Sequence, residues 1–271
     1  MTGAATPEVI AAGEAGPAVL LIHSSASSGR QWKHLSAALE GTHRVRAVNM
    51  FGYGGSPAWE GARRQTLADQ SALARAALPE DDGPVAVVGH SFGGAVAMQV
   101  AADLGPRAAR LVLIEPNPFY LLALAGHAEA HAEAMALGAV IRRAGRDGSL
   151  LHAAQVFADY WNGPGTWDAM PEARQAGFAG VLRPNLHEWD AVEFETTPLA
   201  DWAARLPAAT TLIWAADTVR PIAEICGLLR AGNPGWDCHE LPGGGHMVPV
   251  TAPDTVTPLV VRALQDMGES A

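Results

Sequence analysis

The chain has 271 residues, of which 49% are hydrophobic and 17% charged. That balance supports a large buried core and excludes intrinsic disorder. The formal net charge of −10 would be repelled by nucleic-acid phosphates, which excludes a general nucleic-acid role. The two cysteines, Cys226 and Cys238, match no metal-ligand spacing and make no disulfide framework, so both are expected as reduced packing residues. Residues 1–13 lack a basic start and an apolar stretch, so no signal peptide is expected. Apolar runs such as 18–22 and 85–88 are far shorter than the ~20 residues of a membrane span. A soluble, cytoplasmic protein is the expectation.

In chain order, residues 18–23 (AVLLIH) read as a strand buried on both faces, and 31–39 as a helix. Residues 44–49 (RVRAVN) form a second strand, and 67–78 are helical, with Leu67, Leu73, Ala74 and Leu78 on one face. A third strand at 85–89 leads into a helix at 92–104, and a fourth strand follows at 111–114. Toward the end come a strand at 210–214, a helix at 221–230 opened by Pro221, a strand at 236–241 and a helix at 253–267. Continuous apolar strands alternating with helices imply an α/β fold: a parallel sheet covered on both faces. From Glu115 to about Leu206 no strand pattern is visible, and such a length is too long for a plain loop. Helices at 128–143, 149–160 and 167–180 are expected there, broken at Gly163-Pro164-Gly165 and Arg183-Pro184-Asn185. The chain therefore divides into a core, 1–115 with 207–271, and a helical insertion, 116–206.

The strongest chemical signal is Gly89-His90-Ser91-Phe92-Gly93, between a predicted strand and a predicted helix. A strand that turns sharply into a helix strains the backbone at the serine, and flanking glycines let the two elements pack closely. The hydroxyl is lifted above the sheet edge at a helix N-terminus, which favours negative charge. A serine hydroxyl needs a base. Among ten histidines, His246 in Gly243-Gly244-Gly245-His246-Met247 follows the last predicted strand, so it sits on the same sheet edge as Ser91. His23 and His90 adjoin the site and shape it; the other seven read as insertion or surface residues. A histidine base needs a carboxylate to fix its tautomer. Glu115, ending LVLIE, and Asp217, after TTLIW, both satisfy the order serine, acid, histidine. The polar loop His23-Ser24-Ser25-Ala26-Ser27-Ser28-Gly29 offers backbone N–H groups, foremost that of Ser25, to pair with the N–H of Phe92 around an oxyanion.

These segments resemble the α/β-hydrolase superfamily over nearly the whole chain: LLIHSSASSGRQW, Asn49-Met50-Phe51-Gly52-Tyr53-Gly54-Gly55-Ser56, VVGHSFGG, LVLIEP and GGGHMVPVTAP. The resemblance implies a mostly parallel eight-stranded sheet with a helical cap after the sixth strand. It implies Ser91 as nucleophile, His246 as base, and Ser25 and Phe92 as the oxyanion donors. Three positions depart from the family pattern. His23-Ser24 replaces His-Gly, Asn49 replaces the usual Asp, and the family's later acid position falls on Thr218, one residue past Asp217. Some members, haloalkane dehalogenases among them, place a Glu directly after the sixth strand, which matches Glu115. Glu115 is preferred as the acid, with Asp217 the alternative. Dehalogenases and epoxide hydrolases carry Asp at the nucleophile position, so Ser91 points to acyl transfer to water.

The expected activity is a serine hydrolase of a carboxylic ester, thioester or lactone, needing no metal or cofactor. The alternatives are a C–C bond hydrolase using the same three residues and a ligand-binding protein without turnover. His23, Ser24, Phe119, Tyr120, Leu122, Phe157, Trp161, Trp167, Met247 and Val248 are the expected pocket residues, implying an apolar or aromatic small-molecule substrate. A monomer or homodimer is expected.

Overall fold

The computed structural model describes residues 5–265 and 267, so the expectation for residues 1–13 falls partly outside it. Seven strands form one sheet: β1 (Val9–Ala12), β2 (Ala18–Ile22), β3 (Arg44–Val48), β4 (Val85–His90), β5 (Ala108–Ile114), β6 (Thr210–Ala215) and β7 (Asp237–Leu241). Their order is β1-β3-β2-β4-β5-β6-β7. β1 runs antiparallel to β3, and every other neighbouring pair is parallel. Every residue of β2, β4 and β6 is buried, which is why these segments read as unbroken apolar runs rather than alternating ones.

The sheet has seven strands among the described residues, not eight. The segment before β1 is used differently: the Glu8 carbonyl accepts the Asn49 N–H at 2.9 Å, and the Glu8 N–H donates to Ser56 Oγ at 2.9 Å. With one strand fewer, the helical insertion follows the fifth strand in chain order rather than the sixth.

Strand residues alternate between two core layers. Val19 and Leu21 of β2 face a layer made with α1 (Lys33–Leu39) and α12 (Pro253–Ala263). Ala18, Leu20 and Ile22 face the layer that contains α2 (Leu67–Arg75), α3 (Phe92–Leu104) and α10 (Arg220–Gly232). A Leu or Ile side chain buried this completely contributes about 1.5–3 kcal/mol. The last helix ends at Ala263 rather than 267.

Between β5 and β6 lie α4 (Tyr120–Leu124), α5 (Ala128–Asp147), α6 (Leu150–Asn162), α7 (Glu172–Val181), α8 (Asn185–Glu193) and α9 (Leu199–Arg205). α5 buries Ala130, Ala134, Leu137, Ile141 and Ala144, an inward stripe at helical spacing. It ends at Gly148, whose φ of +77° is the left-handed C-terminal conformation that glycine adopts freely. A short helix, α11 (Val248–Thr251), follows the loop after β7.

From β2 the chain moves outward to β3 and then returns across β2 to β4. The order therefore reverses between β2 and β4, and a crevice opens there at the carboxyl ends of the strands, where open α/β sheets place their ligands. The loops after both strands meet at that point.

Candidate active site

β4 ends at His90 and α3 starts at Phe92, so a single residue, Ser91, makes the turn. Its φ of +57° and ψ of −121° are a strained conformation for a residue with a Cβ. The neighbours show why glycine stands on either side. A Cβ on Gly89 would lie 2.1 Å from the Gly93 carbonyl oxygen, and one on Gly93 would lie 2.3 Å from that of Ile22. Strand and helix backbones therefore touch, and the elbow points the serine out of the sheet edge.

His246 reaches this hydroxyl from the glycine loop after β7. Ser91 Oγ lies 2.8 Å from His246 Nε2, and His246 Nδ1 lies 2.9 Å from Glu115 Oε2. All three residues are buried. With Glu115 ionised, Nδ1–H donates to the carboxylate and Nε2 accepts from the serine hydroxyl, the tautomer a general base needs.

Glu115 follows β5 with φ of +48°, and its side chain is fully buried. A buried carboxylate is costly unless its oxygens are satisfied. Here Oε1 accepts the Ala215 N–H at 2.6 Å, and Oε2 also accepts the Thr218 hydroxyl. Thr218 is the position where the family pattern puts its later acid; in this chain it holds Glu115 instead. Asp217 is used differently. It is exposed and accepts the N–H groups of Gly245 at 2.8 Å and Gly244 at 3.3 Å. These bonds, Gly245 first, hold its carboxyl below the usual range and fix the loop that carries His246. Asp217 makes no bond to the imidazole among the described residues.

Two further histidines are buried beside this group. His90 Nε2–H donates to the His246 carbonyl at 2.8 Å, and its Nδ1 accepts from Gln31 at 3.1 Å. Burial first, then the neighbouring His246, pushes its pKa down to about 3. His23 Nδ1–H donates to the Ser24 carbonyl at 2.7 Å while its Nε2 accepts the Met50 N–H at 3.2 Å. Burial lowers its pKa to about 4. Both stay neutral and act as spacers that fix loops.

The N–H of Phe92 opens α3 and belongs to the first turn, which a helix leaves without internal partners. Ser25, in the loop after β2, lines the same cavity. Its hydroxyl donates to Glu188 Oε2 at 2.5 Å, and the next N–H, of Ala26, donates to Tyr53 Oη at 3.0 Å.

The cavity above the elbow has a volume of about 160 Å³. Ser24, Ser25, Phe92, Phe119, Phe157, Trp161 and Met247 line it, together with Ser91 and His246. The Trp161 ring lies over the His246 imidazole, with centroids 4.1 Å apart. Other expected pocket residues lie behind this wall. Tyr120 is turned to the Thr197 carbonyl, 3.0 Å away, and Leu122 is buried in the core. Trp167 packs within the insertion, Val248 packs in the opposite layer, and His23 sits beneath the loop after β2. Sequence reasoning did not single out Asn117, Met170, Arg174, Phe178, Glu188 or Trp189, all of which line the cavity. Most of these come from α7 and α8.

A model of the alpha/beta hydrolase family matches residues 19–259. Over 106 residues the chain is 46% identical to lipase LipV of Mycobacterium tuberculosis, covering 38% of this chain and 39% of that protein. Over 105 residues it is 35% identical to the pimeloyl-(acyl-carrier protein) methyl ester esterase of Aromatoleum aromaticum, covering 39% of each. The chain thus spans about two fifths of the length of these two curated relatives. The enol-lactonase of Burkholderia xenovorans superposes with a TM-score of 0.71 at 17% identity, over 96% of each chain, a likeness of fold. Since the matched segment runs from β2 into α12 and contains the elbow and its neighbouring loops, the chain belongs to the alpha/beta hydrolase family.

Proposed function

We propose that this enzyme hydrolyses small carboxylic esters, thioesters or lactones through an acyl-enzyme on Ser91. The observation that carries the reading is the buried line of hydroxyl, imidazole and carboxylate, with contacts of 2.8 and 2.9 Å. In this mechanism His246 Nε2 takes the hydroxyl proton as Ser91 Oγ attacks the substrate carbonyl. Glu115 stabilises the imidazolium that forms and keeps the ring from turning. The N–H groups of Ser25 and Phe92 hold the oxyanion, aided by the positive end of α3. The imidazolium protonates the leaving alcohol or thiol, and water then releases the acid by the same route.

The cavity limits the acyl group. Its volume of about 160 Å³ is close to the ~150 Å³ that accommodates a benzene ring, and its aromatic walls favour an apolar group of that size. The insertion, 116–206, serves as the cap that closes this pocket. Names of relatives such as lipase and methyl ester esterase are in keeping with ester cleavage. The test is a series of p-nitrophenyl esters of increasing chain length. Short or single-ring acyl groups are the expected substrates, and Ser91→Ala is expected to remove turnover while the thermal transition is kept. Undiminished hydrolysis by that variant would refute the mechanism.

A further inference from the structure

Glu188, on α8 of the insertion, is 1% exposed. Its Oε2 accepts two bonds, from Ser25 Oγ at 2.5 Å and from Asn185 Nδ2 at 2.6 Å. Oε1 has no hydrogen-bond partner among the described residues. Burial pushes its pKa up, and only hydrogen bonds, from Ser25 first, oppose that. A carboxyl buried without a cation is an expensive way to fix a helix, because an amide or an apolar side chain would do so at lower cost. Glu188 also lines the cavity above Ser91, and a buried carboxyl with a shifted pKa in a cleft is a functional-site candidate.

What it grips is specific. Ser25 immediately precedes Ala26, whose φ of +52° is left-handed. A non-glycine residue held there costs on the order of 1–3 kcal/mol, and its surroundings must enforce it. Two contacts do so: the Ala26 N–H donates to Tyr53 Oη, and the Ser25 hydroxyl donates to Glu188. Glu188 is itself held from behind. Asn185 Oδ1 accepts the Trp189 indole N–H at 3.0 Å, and the Trp189 ring stacks on Phe119 with centroids 5.2 Å apart.

We propose that Glu188 is a positioning residue: it grips the Ser25 hydroxyl from the insertion and so holds the Ser25 backbone N–H where the oxyanion forms. This rests on the function proposed above. It makes the oxyanion site a joint product of the core and the insertion, complete only when α8 is seated on the loop after β2.

The test uses Ser25→Ala, which keeps the backbone N–H and loses the grip, with Glu188→Leu, Glu188→Gln and the Ser25→Ala/Glu188→Leu double variant. Steady-state kinetics on p-nitrophenyl acetate are measured beside inhibition by a trifluoromethyl ketone, whose hemiketal oxyanion needs the same donors. Ser25→Ala and Glu188→Leu are expected to lower kcat by about 10- to 100-fold while KM changes little, the size of effect a displaced donor gives. Affinity for the ketone should fall by the same factor. Glu188→Gln, which still offers an acceptor to Ser25, should recover most of the loss. The double variant should be no worse than the poorer single one, because both remove one contact. Wild-type kcat and ketone affinity in Ser25→Ala would overturn the proposal, as would losses that multiply in the double variant. Should Glu188→Leu fail to fold, Ser25→Ala alone decides. A wild-type enzyme that neither cleaves the ester nor binds the ketone would instead overturn the function on which the proposal rests.

Discussion

Two carboxylates satisfy the same order in the sequence, and their surroundings separate them. Glu115 is enclosed, bonded to the Ala215 N–H, the Thr218 hydroxyl and His246 Nδ1. Asp217 is in solvent and braces two glycine N–H groups. Glu115→Gln should therefore lower kcat by about 10⁴-fold, the loss expected when the tautomer-fixing acid is removed. Asp217→Asn keeps an acceptor for Gly245 and should lose far less. Esterase kinetics on the two variants check this, and the reverse order would move the acid to Asp217. That Ser91 and His246 would meet was legible, because their glycine-rich settings are local. The choice of acid was legible only as a preference for Glu115 drawn from resemblance, since it depends on which way each strand end turns its side chain. Thr218 was a second clue. A threonine where the family pattern has an acid makes sense once its hydroxyl is seen on Glu115. Glu188 had no local signal at all, because its partner Ser25 lies 163 residues away.

The strand–helix elbow works because three pieces of backbone touch. Gly93 sits against the Ile22 and His23 carbonyl oxygens, where a Cβ would lie 2.3 and 2.4 Å away. Those oxygens belong to buried backbone with little freedom to shift. Gly93→Ala should cost about 1–3 kcal/mol of stability from overpacking, read as a lower denaturation midpoint in urea with unchanged slope. It should also lower activity, because it pushes α3 from β2 and tilts the Phe92 N–H. An unaltered midpoint would contradict this packing. Long elements with an apolar rhythm, such as α3 and α5, were legible in the sequence. Short ones were not: β1, α4, α8 and α9 carry too few turns or alternations to show a period. α8 was further disguised by Arg183-Pro184-Asn185, which reads as a break. In the fold Pro184 stands just before the helix, at its N-cap, where the missing N–H does no harm. Glu188 and Trp189, two of the unforeseen lining residues, come from this helix, and Arg174 and Phe178 come from α7 before it.

Across the entire fold, the parallel sheet follows from its unbroken apolar strands, and the switch between β2 and β4 gathers loops from distant parts of the chain. That assembly buries titratable groups, with a consequence for stability. Histidine in an unfolded chain titrates near 6.5, whereas His23 and His90 titrate near 4 and 3 in the native state. Above pH 6.5 both states are neutral there and pH has no effect through them. Below it the unfolded chain binds protons that the native one refuses. Stability is therefore lost as pH falls from about 6.5 toward 4, by up to ~1.4 kcal/mol per pH unit for each histidine. Urea unfolding at pH 7.5, 6 and 5 should show that decline, and a flat profile would contradict the buried neutral imidazoles. The proposed hydrolysis requires His246 to activate Ser91 in the folded protein. Treating the protein with a fluorophosphonate and locating the adduct by peptide mass spectrometry tests this in one step. A single stoichiometric adduct on Ser91, lost in His246→Ala, is predicted; an unmodified Ser91, or labelling as fast without the imidazole, would contradict it.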